Sequence, residues 1–209
     1  NVGTTITGNH IDNCSIEWTN EFEADPNFGS QFAFGGLTVT GNVFLALNVV
    51  NWFRFIVIKP YGTGHYLHGL NISGNTFKTF GGNIDRVESV DTSFAALDPA
   101  KARNVRFEHN TFNGVTQITA NPVRLPFTQA TAASTWAISA ANWLPFGGNL
   151  LTVESVVAEG MITDAAGGRR TEMPFVMTEQ GTLKKNMTLN WAGPAKGTVR
   201  VSVRMDEPN

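Results

Sequence analysis

Four strings in the first half of the chain share one order of apolar and polar positions: "TTITGNHI" (4–11), "LTVTGNVF" (37–44), "LNISGNTF" (70–77) and "VRFEHNTF" (105–112). Aligned on Asn9, Asn42, Asn75 and Asn110, they recur at intervals of 33, 33 and 35 residues. Three residues before each Asn stands Ile6, Val39, Ile72 or Phe107, and two after it Ile11, Phe44, Phe77 or Phe112. Five before it stand Thr4, Leu37, Leu70 and Val105. Apolar residues two apart, rich in Ile, Val and Phe, predict strands, and the Gly-Asn or His-Asn pair predicts a corner between two of them. Helical repeats of similar period need apolar spacings of three and four over longer segments, which these strings lack.

The pattern therefore predicts a parallel β-helix with one coil per repeat and equivalent strands stacked as neighbours. The apolar positions fill the coil. The Asn residues are read as structural: they suit a left-handed corner, and stacked in register they can bond to one another as a ladder. Long segments between the corners, 14–36, 55–69 and 83–104, exceed what short strands require and are expected to project in part as loops.

After "ITANPVRLPF" (118–127) the repeat stops. Pro122 and Pro126 are expected to interrupt pairing, giving coils over 1–120, a linker over 121–127 and a separate domain over 128–209. Strands are expected at 150–159, 171–178, 182–191 and 197–205, with turns at 164–170, 179–181 and 192–197. Val199, Val201, Val203 and Met205 alternate with Thr198, Arg200, Ser202 and Arg204, which predicts one buried and one wet face. The fold class is thus all-β: a parallel β-helix followed by a small antiparallel, sandwich-like domain that caps the solenoid's open edge.

The "ISGNTF" and "VTGNVF" strings, with "VRFEHNTF" as a variant, resemble the right-handed parallel β-helix proteins of the pectate-lyase-like superfamily. That group contains polysaccharide lyases, glycoside hydrolases and bacteriophage tailspikes. The resemblance covers roughly residues 1 to 120 and concerns scaffold positions. A β-helix followed by a compact β-domain is similar to the tailspike arrangement, in which the C-terminal domain caps the solenoid and joins three chains. The resemblance implies a homotrimer, a virion or extracellular location and a bacterial cell-surface polysaccharide as ligand. The chain opens on Asn1 without a start Met, so a preceding region is expected to hold contacts to other particle proteins, or chemistry of its own.

Composition narrows the partners. Fifteen basic and seventeen acidic residues leave a formal charge of −2, which gives no electrostatic footprint for nucleic acid. No apolar run is long enough for a membrane-spanning helix, and membrane insertion is not expected. The single cysteine, Cys14, excludes an internal disulfide and is expected to be buried. No cofactor is implied.

Candidate chemistry lies between the rungs. Strings characteristic of the polygalacturonase branch are absent, and His65 and His68 in "GTGHYLHG" lack a paired Asp, so they are read as surface or turn histidines. Asp12, Glu17, Glu21, Glu23 and Asp25 lack the spacing of a calcium loop, and no metal site is expected. In "NIDRVESVD", alternation sets Arg86 and Glu88 on one face as an exposed ion pair, away from Asp85. Sugar rings stack on aromatic faces flanked by amides and charges; Trp18, Trp52 and Tyr66, with Arg86 and Glu88, are the glycan-binding candidates. "GGRR" (167–170) is read as a solvated hairpin tip rather than an anion site. Two functions stay open: a spike that binds polysaccharide, or a secreted lyase or hydrolase using the same groove, whose catalytic residues the sequence does not name.

Overall fold

A computed structural model describes residues 3–21 and 33–208 of the chain. The first coil holds β1 (Thr4–Thr7), β2 (His10–Asp12) and β3 (Ile16–Thr19). The second holds β4 (Ala33–Gly35), β5 (Leu37–Thr40), β6 (Val43–Leu47) and β7 (Ile56–Lys59). The third holds β8 (Tyr66–Ser73), β9 (Thr76–Phe80) and β10 (Glu88–Val90), and β11 (Arg103–Glu108) and β12 (Thr111–Asn113) begin a fourth. Three parallel sheets result, in the orders β1-β5-β8-β11 with β4 also on β8, β2-β6-β9-β12, and β3-β7-β10. The chain is an all-β solenoid, as the repeat predicts.

The pairing register matches the sequence alignment. Ile6 pairs with Val39, Val39 with Ile72 and Ile72 with Phe107. Ile11 pairs with Phe44, Phe44 with Phe77 and Phe77 with Phe112. The second row is an aromatic stack: ring centroids lie 4.8 Å apart for Phe44 and Phe77 and 5.7 Å for Phe77 and Phe112, with Phe55 packed against the first two.

The asparagine ladder forms. The backbone N–H groups of Asn9, Asn42 and Asn75 donate to the Oδ1 of the next Asn at 3.0, 3.0 and 2.9 Å. Their Nδ2 groups donate to the same oxygens at 3.1, 3.0 and 3.0 Å. Nδ2 of Asn42, Asn75 and Asn110 also reaches back to the carbonyls of Ile6, Val39 and Ile72 at 2.9, 2.8 and 3.0 Å. One expectation is corrected: the left-handed residue at the corner is not the Asn but the one before it. Gly8, Gly41, Gly74 and His109 have φ of 68°, 65°, 64° and 57°. Glycine adopts this conformation without strain, so Asn is selected for its amide alone.

The repeat contains a second left-handed column, not anticipated from the strings. Gly36, Gly69 and Asn104, each six residues ahead of a rung Asn, have φ of 69°, 73° and 50°. Gly36 N–H donates to the Gly69 carbonyl at 3.0 Å, so these bends stack as well.

The C-terminal region comprises β13 (Val123–Ser139), β14 (Thr152–Ala158), β15 (Phe175–Gln180) and β16 (Asn186–Arg204) in one antiparallel sheet. Strand β16 is central: β13 runs along one side, while β14 and β15 share the other. Two sequence expectations change here. Residues 123–127 are no linker but the start of β13, since Pro126 sits on an edge strand where a missing N–H costs no ladder bond. Segment 192–197 is no turn: β16 runs through it, and the misfit is absorbed by register shifts beside Ala133, opposite Ala195. Trp136 is fully buried there and donates to the carbonyls of Ala133 and Ala195, each at 3.0 Å.

The end of β16 and the residues after it close the solenoid. Val105 N–H donates to Asp206 Oδ2 at 2.7 Å, and Arg204 holds both oxygens of Asp206 at 2.9 and 3.0 Å. Asn121 bridges Asp206, the Val105 carbonyl and Met205 N–H. Arg204 and Ser202 are thus buried, so the alternate face of β16 is wet only farther back, as at Arg200. Cys14 is exposed, against expectation, because the stretch between β2 and β3 lies outside the coil core.

The ladder generates a stability test. Asn75→Ala deprives Asn42 N–H of its acceptor inside the coil and is expected to cost on the order of 3 kcal/mol in urea unfolding. Gly74→Ala meets no atom within 4 Å, so backbone strain alone should cost about 1–2 kcal/mol. An Asn75→Ala cost within about 0.5 kcal/mol, the level of a neutral surface change, would mean that the ladder does not hold the coils.

Candidate functional site

Successive coils stack a polar corner at Asn51, Asp85 and Gln117: Asp85 N–H donates to the Asn51 carbonyl at 3.0 Å, and Gln117 N–H to the Asp85 carbonyl at 2.8 Å. The connection between β13 and β14 comes down beside this corner, tied by Ala120 N–H to the Trp143 carbonyl at 2.9 Å. Between them opens a cleft of about 570 Å³ lined by Arg54, Asp85, Arg86, Thr116, Gln117, Ile118, Asn142 and Trp143. Trp143 and Ile118 are 42 % and 47 % exposed and supply its apolar surface.

The charges in the cleft are held in place. Arg54 donates to the carbonyls of Asn51 and Phe53 at 2.7 and 2.8 Å and lies 3.7 Å from Asp85. Arg86 donates to the Leu144 carbonyl at 2.6 Å, which fixes the cap against the coil. Asp85 is half exposed and, among the described residues, is the only acid lining the cleft. An aromatic face, two amides and a fixed ion pair make a surface suited to hydroxylated rings, which offer apolar faces and many donors and acceptors.

Glu88 faces the other way. It is 1 % exposed, so the Arg86–Glu88 pair expected on the surface is a buried clamp. Glu88 accepts from Arg86 Nε at 2.9 Å, Thr119 Oγ1 at 3.0 Å and Phe146 N–H at 2.7 Å, joining coil and cap. Burial pushes its carboxyl up, while Arg86, the Phe146 N–H and the Thr119 hydroxyl pull it down less strongly.

The other sequence candidates scatter. Trp18 pairs with the fully buried Ile58 and packs half-buried on the coil core, so it fills the first coil rather than offering a platform. Trp52 is 72 % exposed on the turn before Arg54. Tyr66 and His68 lie on the outer side of β8, away from the cleft. His65, expected at the surface, is buried with its Nε2 at the Tyr61 carbonyl and 3.1 Å from Asn20 Nδ2. Glu23 and Asp25 fall outside the described residues, and among those described no three His, Cys, Asp or Glu side chains converge as a metal site. Residues 164–168 form a tight turn around Asp164, and Arg170 pairs with Glu172 at 3.1 Å.

No family model and no curated protein matches the sequence. Among solved structures, the tailspike gp61 of Pseudomonas phage phi297 is similar at a TM-score of 0.27 and 15 % identity, over 97 % of this chain and 42 % of that one. The chain therefore spans less than half the length of that tailspike.

Sequence reasoning found Arg86 but missed Asn142, Trp143 and Gln117. The corner residues Asn51, Asp85 and Gln117 stand at unequal distances from their rung Asn, so no repeat marks them. Trp143 reaches them only through the cap's docking.

Glu88→Ala is expected to cost about 3–5 kcal/mol, because Arg86 and Phe146 N–H lose a buried partner. Since burial raises its carboxyl in the folded chain, this group stabilises the fold most below the unfolded value and progressively less as pH rises through the folded value. Relative to Glu88→Gln, the natural chain should thus lose stability over the pH range upward from the unfolded carboxylate value. A gap that stays constant in thermal melts across that range would contradict the assignment.

Proposed function

We propose that the chain belongs to a spike or fibre of a phage or phage-like particle, gene-transfer particles included, and binds bacterial surface polysaccharide. The observation that carries this reading is the cleft where Trp143 and Ile118 face Asn142, Gln117 and the Arg54–Asp85 pair. Binding rather than cleavage is favoured by its acid content. Glycoside hydrolysis takes two carboxyl groups about 5–9.5 Å apart; the cleft offers Asp85, while Glu88 is turned into the cap.

A homotrimer is supported by the outer face of the C-terminal sheet. Thr135 and Ala137 of β13, Thr188 and Asn190 of β16, and Phe175 and Met177 of β15 lie side by side in register, without a charge among them. Phe175 and Met177 are 69 % and 42 % exposed. No charged residue occurs from Leu125 through Val153, so β13, a 17-residue edge strand, carries Arg124 near its start and beyond it none of the charges that usually blunt such edges. Packing of copies across this face would cover both features, in keeping with a virion or extracellular spike.

In titrations of oligosaccharides prepared from bacterial surface polysaccharides, Trp143→Ala is expected to weaken binding about tenfold or more, ~1.4 kcal/mol. Light scattering should give about three times the 22.7 kDa of one chain. Unchanged affinity in the variant would remove the cleft from the reading, a clean monomer would remove the trimer, and release of reducing or unsaturated ends would replace binding by catalysis.

A further inference from the structure

A second depression, of about 330 Å³, lies on the outer side of the first parallel sheet and is lined by Tyr66, His68, Lys101 and Arg103. Its layout follows from the repeat. His68 pairs with Gly35 on one coil and Arg103 on the next, and Tyr66 pairs with Ala33. The outward rows therefore rise from small residues on the second coil, through an aromatic pair on the third, to two cations at the fourth. Gly35 is required where β4 closely approaches β8, since a Cβ there would lie 1.6 Å from the His68 carbonyl oxygen. The Tyr66 and His68 rings lie 6.5 Å apart and nearly parallel, with an interplanar angle of 22°.

We propose that this depression binds an acidic sugar, its ring on Tyr66 and His68 and its carboxylate or phosphate between Lys101 and Arg103. All four lining residues offer hydrogen-bond donors, and two carry fixed positive charge. The acids nearby do not fill the site. Asp98 lies 3.4 Å from Lys101 Nζ but spends its other oxygen on Ala100 N–H, and Glu207, 2.9 Å from Arg103, is 57 % exposed. Solvent-exposed pairs of this kind are weak and yield to a ligand anion with better geometry. Guanidinium and ammonium groups side by side suit an anion that a neutral glycan lacks.

The inference rests on the polysaccharide reading for its biological ligand, but its test does not. Backbone amide shifts of the full chain are followed in titrations with glucuronic acid, glucose 6-phosphate, glucose and inorganic phosphate. Both acidic sugars are expected to move the amides of 66–68 and 101–103, with glucose at least tenfold weaker. Lys101→Gln with Arg103→Gln should weaken both acidic sugars at least tenfold; Lys101→Gln alone should give a smaller loss if the double variant melts early. Tyr66→Ala should weaken the sugars and not inorganic phosphate. Trp143→Ala should change none of these affinities, so failure here is separable from failure at the cleft. Glucose binding as tightly as glucuronic acid, unchanged affinity in the cation variants, or inorganic phosphate binding as tightly as glucose 6-phosphate would overturn the proposal.

Discussion

The carboxamide of asparagine has an acceptor end and a donor end, and the solenoid depends on that asymmetry. At Asn42 and Asn75 the oxygen receives the backbone and side-chain N–H groups of the previous rung, while the nitrogen reaches that coil's carbonyl. Both amides are almost fully buried, so an unpaired group would be costly and the bonds act together. A slip of one residue between coils would break every rung and turn Ile72 and Phe77 outward. The ladder and the apolar rows therefore enforce the same register.

That register decides what the surface can hold. Every inward position is committed to packing, so chemistry can vary only at outward positions, corners and insertions. Both clefts are built this way, one on the stacked corner Asn51, Asp85 and Gln117, the other on the outward rows through Tyr66 and His68. Each also lies near the cap. Buried ion clusters at Glu88–Arg86 and Asp206–Arg204 join solenoid to cap, and the same docking delivers Trp143 to one cleft and Glu207 to the edge of the other.

The coils were legible in the sequence because their residues obey a local rule repeated four times. Stacking partners can be read by alignment alone, and Ile6, Val39, Ile72 and Phe107 fall in register as read. The cap lacks a repeat, so Pro126, Gly193 and Pro194 looked like breaks; in the fold, an edge position and a bulged register absorb them. Glu88 was misjudged because strand alternation assigns faces but not what covers a face: Leu144 and Phe146 of the cap bond to Arg86 and Glu88 there. Trp143 escaped assignment for the same reason, since its relation to Asp85 exists only after docking.

The ladder is expected to act as a rigid frame, and glycans are proposed to bind at the junction it supports. Hydrogen–deuterium exchange with and without a bound surface oligosaccharide tests this most directly. The amides of Asn42 and Asn75 should be among the slowest in the chain, and the sugar should add protection at 116–118 and 142–143. Rung amides that exchange as fast as exposed turns, or sugar-dependent protection only elsewhere, would contradict it.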